Sequence, residues 1–104
     1  MVSGCAKKKV IGGKLLTVKL EFGSFIQKAE ISGDFFLYPE EKLGEIEKCL
    51  VGVSINCDKN SLSMAISKAV KENGIDMIGI DPESISETVI EAIKNGMESY
   101  RPSN

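Results

Sequence analysis

Ile31-Ser32-Gly33-Asp34-Phe35-Phe36-Leu37-Tyr38-Pro39-Glu40-Glu41 is the stretch on which the fold reading turns, because an alternating strand gives way there to an aromatic run and then to a helix start. Upstream of it apolar residues recur at every second position, the period of a half-buried strand. Downstream they recur every third or fourth, the period of one helix face. Gly33 suits a positive φ or a close approach of another backbone, and Asp34 can accept from neighbouring amides to fix a turn. These two residues are the expected structural corner between the halves of the chain.

Working back toward the N-terminus, Phe25 to Ser32 alternates, with Phe25, Ala29 and Ile31 expected inward and Lys28, Glu30 and Ser32 outward. Gly23-Ser24 turns the chain, and Leu16, Val18, Leu20 and Phe22 form the buried face of the preceding strand, so the pair reads as an antiparallel hairpin. Gly12-Gly13 before that strand marks either a tight turn or a place where a partner backbone or a phosphate lies close. Residues 1–9, with Lys7-Lys8-Lys9 and no periodicity, are expected as a flexible arm or a short edge segment. Residues 34–38 supply a short third strand.

Working forward, Pro39-Glu40-Glu41 opens a helix striped by Leu43, Ile46, Cys49, Leu50 and Val53. Residues 58–61 offer caps for a second helix, which carries Leu62, Ile66, Ala69 and Val70 and stops at Asn73-Gly74. Ile75 to Ile80 is an apolar link of open state. Asp81-Pro82-Glu83 opens a third helix with Ile85, Val89, Ala92 and Ile93, expected to end at Asn95-Gly96 before a polar tail over 97–104. The expected fold class is α+β: one domain over 10–96, with a small three-stranded antiparallel sheet covered on one face by three helices. Phe35 and Phe36 are adjacent and point to opposite faces, so one large aromatic lies outside the core. Together with Leu15 and Ile26, read onto the bare sheet face, it suggests a partner-docking surface.

At 104 residues the chain is long enough to bury one core but too short to add a deep two-substrate cleft, which weighs against a complete enzyme. A net charge of −2 leaves a nucleic-acid partner resting on the lysine run alone, without interleaved aromatics. No apolar run approaches the roughly 18 residues of a membrane span, and residues 1–9 lack the apolar core of a secretory signal, so the expected location is cytoplasmic. The chain has no His, which removes the commonest general base and the Ser-His and Cys-His nucleophile pairs. Cys5, Cys49 and Cys57 have neither metal-site nor disulfide spacing. Cys49 reads as a small buried hydrophobe, and Cys57 as the one exposed thiol.

Gly12-Gly13-Lys14-Leu15-Leu16, then Ile31-Ser32-Gly33-Asp34-Phe35-Phe36-Leu37, then the Pro39-Glu40-Glu41 helix resemble in order and spacing the C-terminal accessory domain of lipoate-protein ligase, in its form as the separate small subunit of a bipartite ligase. The resemblance covers residues 9–93. It implies a noncatalytic partner of a large catalytic subunit that activates lipoate with ATP and magnesium to lipoyl-adenylate, before transfer to a lysine of a lipoyl carrier domain. It also implies that the nucleotide, metal and lipoate sites belong to the large subunit, so no catalytic or metal-binding residue is assigned here. Gly12, Gly13, Lys14 and Phe36 are the candidates to face that subunit or the adenylate, with an ordinary exposed lysine as the other reading of Lys14. The same domain resembles the iron-sulfur assembly scaffold fold. A sulfur-transfer or cluster role is therefore the alternative, and it would require convergent exposed cysteines.

Overall fold

Leu15–Phe22 (β2) is the central strand of a three-stranded antiparallel sheet, flanked by Val2–Lys9 (β1) and Ile26–Gly33 (β3) in the computed structural model, which describes residues 1–10, 12 and 14–99. Leu16, Val18, Leu20 and Phe22 all point into the core, as the alternation requires. Leu43–Leu50 (α1) packs on β3, Pro82–Ser99 (α3) lies across β1 and β2, and Lys59–Glu72 (α2) bridges α1 and α3. The architecture is thus α+β, with helices on one face of a small antiparallel sheet.

The third strand of that sheet comes from the N-terminus rather than from residues 34–38. Residues 1–9 take the edge-segment alternative, and β1 pairs with β2 through eight residues, Val2 opposite Phe22 to Lys9 opposite Leu15. Its inward positions are Val2, Gly4, Ala6 and Lys8, too small or too polar to register as an apolar alternation. They are small because α3 comes so close: a Cβ on Gly4 would stand 2.1 Å from the Ala92 carbonyl oxygen, and a Cβ on Gly96 would stand 3.0 Å from the Gly4 Cα and 2.9 Å from Phe22 Cζ. Two glycines facing each other let helix and strand backbones approach. Lys8 pairs with Glu87 on α3, and the Asn95 side chain donates to the Cys5 carbonyl at 3.0 Å.

Gly96 is therefore a packing residue inside α3, not its stop, and the helix runs on to Ser99. Asn73-Gly74 does end α2: Gly74 has φ +61°, and Asn73 donates from its side chain to the Ala69 carbonyl at 2.9 Å. Both long helices begin on an aspartate. Asp58 accepts from the Ser61 N–H and Asp81 from the Ser84 N–H, each at 2.7 Å.

A one-residue shift corrects the inward set of β3. The register slips between Glu21 and Phe22, so that Phe22 faces Ile26, and the bulge reverses the parity of the strand's first residues. Ile26 is buried at 1% exposure, whereas Phe25, expected inward, is 56% exposed. Ile26 accordingly leaves the outer sheet face, which carries Cys5, Lys19, Glu21, Lys28 and Glu30 as its main display.

Residues 36–38 form a strand elsewhere. Phe36–Tyr38 (β4) pairs antiparallel with Asp76–Ile78 (β5), a two-stranded ribbon that resolves the open link 75–80. Glu40–Lys42 then makes one 3-10 turn leading into α1.

Candidate partner surface

The β4–β5 ribbon has one face in the core and one outside. Leu37 is buried and Met77 packs against the core, which fixes the ribbon to the domain. Strand alternation then turns Phe36, Tyr38 and Ile78 the other way, and they are 65%, 73% and 67% exposed. Phe36 lies directly across from Ile78, and Tyr38 across from Asp76. Phe36 is thus the aromatic that stands outside the core, while Phe35 packs against it.

Gly33, Asp34 and Lys14, among the remaining sequence-predicted residues, lie beside this ribbon. Gly33, at φ +154°, lets β3 pass close over β2, since a Cβ there would lie 2.0 Å from the Leu15 carbonyl oxygen. The Asp34 backbone N–H donates to that same carbonyl at 3.0 Å, so a main-chain bond, where a carboxylate-fixed turn was expected, closes the corner. Lys14 immediately precedes Leu15, and its carbonyl accepts from the Val10 N–H at 2.8 Å. Its aliphatic stem runs past Gly79 and Phe35: a Cβ on Gly79 would meet Lys14 Cγ at 3.2 Å and Phe35 Cβ at 3.7 Å. Gly12 is exposed with φ +83°, and Gly13 lies outside the described residues. Lys14, Gly33, Asp34, Phe35 and the Ile78-Gly79 end of β5 thus form one contiguous corner.

Tyr38, Asp76 and Ile78 were not singled out from sequence. The available signal was the short apolar run at 75–80, bounded by Gly74 and by Asp81-Pro82, which has strand length. Its partner strand lies about 40 residues upstream and no local pattern names it.

A hollow lined by Phe36, Leu37, Tyr38, Glu40, Glu41, Asp76 and Ile78 borders the ribbon, with three carboxylates and no lysine or arginine around apolar side chains. No thiol lines this hollow, and the three cysteines sit on different segments of the fold. Cys5 is the exposed one, on the outer face of β1, while Cys49 and Cys57 are half-buried on α1 and in the α1–α2 loop. Burial pushes both of the latter thiols up, away from the thiolate. Among the described residues, no three His, Cys, Asp or Glu side chains sit together as metal ligands. Nor, among them, is any helix long and apolar enough to cross a membrane.

No family model and no curated protein matches the chain. Among solved structures it is similar to a chain of an archaeal lipoylation system from Thermoplasma acidophilum, comprising a bipartite lipoate protein ligase and its E2 lipoyl domain. The identity is 30% and the TM-score 0.63, with 86% of this chain and 94% of that chain covered. The chain belongs to the family of lipoate-protein ligase accessory domains, in the form of the separate small subunit of a bipartite ligase.

Proposed function

We propose that this chain is the noncatalytic accessory subunit of a two-part lipoate-protein ligase, required when the large catalytic subunit activates lipoate with ATP to lipoyl-adenylate ahead of transfer to lipoyl carrier domains. The observation that carries this reading is the 30% identity to a chain of the T. acidophilum system over 94% of that chain. On this reading lipoate, ATP and magnesium are held by the large subunit, and this chain completes the surroundings of the reaction.

Adenylate formation gathers negative charge on the α-phosphate, and a cation in a water-poor site lowers the energy of that charge. Lys14 is the residue of this chain suited to the task. It follows Gly12 and Gly13 in sequence, and its Cγ lies close to Gly79, which Phe35 also adjoins. Replacing it removes charge without touching the core.

The test mixes this chain with a large subunit that lacks an accessory domain of its own and follows ATP-dependent lipoyl-adenylate formation. The wild-type chain is expected to restore activation. Lys14→Ala, with an unchanged melting temperature, is expected to lower the rate about tenfold or more. Equal activation with and without the chain would overturn the reading, and full activity of Lys14→Ala would remove the role of that lysine alone.

A further inference from the structure

Resting on the accessory-subunit reading, we propose that the outer face of the β4–β5 ribbon is the surface that seats the large subunit, and that the matching surface there is an apolar hollow rimmed by lysine or arginine. A three-residue, two-stranded ribbon has little stability of its own, and here Leu37 and Met77 hold it on the core. Its other face concentrates Phe36, Tyr38 and Ile78, each about two-thirds exposed or more, within a few residues of chain. Single exposed apolar side chains are ordinary on a monomer, whereas two aromatics and an isoleucine held side by side by strand pairing make an anchor of the kind found at interface centres.

The rim decides the occupant. Glu40, Glu41 and Asp76 border the apolar side chains, with no cation among the lining residues. A second copy of this chain docking by the same face would bring six carboxylates together around a drying contact, which like-charge repulsion opposes. A partner carrying basic residues around an apolar hollow would pair each carboxylate at the rim and bury the rings at the centre. The ribbon also adjoins the Lys14 corner through Ile78-Gly79, so a subunit seated on it lies within reach of that lysine.

Binding of the purified chain to the large subunit from the same organism, measured by calorimetry and by association kinetics at two salt concentrations, tests the proposal. The double variant Phe36→Ser/Ile78→Ser alters only exposed side chains, so its melting temperature should match wild type, and its affinity should fall by about thirtyfold or more. The triple variant Glu40→Lys/Glu41→Lys/Asp76→Lys should associate more slowly and lose the wild type's acceleration at low salt. If the wild type binds and both variants bind equally well, the ribbon is not the seat, while the accessory role stands. If the wild type itself does not bind, the accessory role fails and the ribbon proposal with it. Light scattering that shows a wild-type dimer, broken by Phe36→Ser/Ile78→Ser, would make a second copy the occupant and overturn the proposal.

Discussion

Gly96 shows how far a residue's meaning depends on what stands opposite it. Asn73-Gly74 and Asn95-Gly96 are the same dipeptide at the same place in a helical pattern, yet only the first ends its helix. Gly74 takes positive φ, whereas Gly96 stays helical because Gly4 and the Phe22 ring fill the space where its side chain would be. Local sequence carries the capping signal in both cases and the tertiary contact in neither. The two readings predict opposite signs for Gly96→Ala. Helix propensity alone would raise stability by about 1 kcal/mol, while overpacking against β1 and Phe22 should lower it by about 1–3 kcal/mol. Urea denaturation distinguishes them, and a stabilised variant would contradict the close β1–α3 contact. By contrast, Gly33 was legible from sequence as a corner glycine, and strand parity showed that one of Phe35 and Phe36 would lie outside the core; which of the two was left to the structure, which puts Phe36 there.

At the scale of elements, β2, β3 and the three helices were readable because each displays the period of its own backbone in large apolar side chains. The edge strand β1 was not, since α3 occupies the volume its inward side chains would otherwise fill, leaving glycine and alanine there. The ribbon was half legible: the strand at 36–38 was expected, but its partner is a distant segment, and pairing at such separation leaves no local trace. The start of α3 offers a test. The Ser84 hydroxyl and then its backbone N–H donate to Asp81 and hold its carboxyl below the usual carboxylate range. A carboxylate depressed on folding contributes stability that is present above its unfolded pKa of about 3.9 and is lost as pH falls through the lower folded value. Asp81→Ala should therefore cost about 1 kcal/mol at neutral pH, with the gap to wild type narrowing below about pH 4. Asp81→Asn, which keeps an acceptor but no charge, should show no such narrowing attributable to this site. A gap for Asp81→Ala that persists undiminished at the lowest pH would refute the assignment.

At the scale of the molecule, an α+β domain of 104 residues spends its interior on one core and presents its chemistry at the surface. The bare outer face of the sheet is charged, and two of the three exposed aromatics among the described residues, Phe36 and Tyr38, stand on the ribbon beside the Lys14 corner. That arrangement fits a protein whose work is done against another surface, as the relationship to a bipartite ligase suggests. The most direct measurement is lipoate-dependent exchange of pyrophosphate into ATP by the large subunit, titrated with this chain. The account predicts little exchange without the chain and a rise that saturates at one chain per large subunit. Exchange at full rate in its absence, or exchange catalysed by this chain alone, would contradict it.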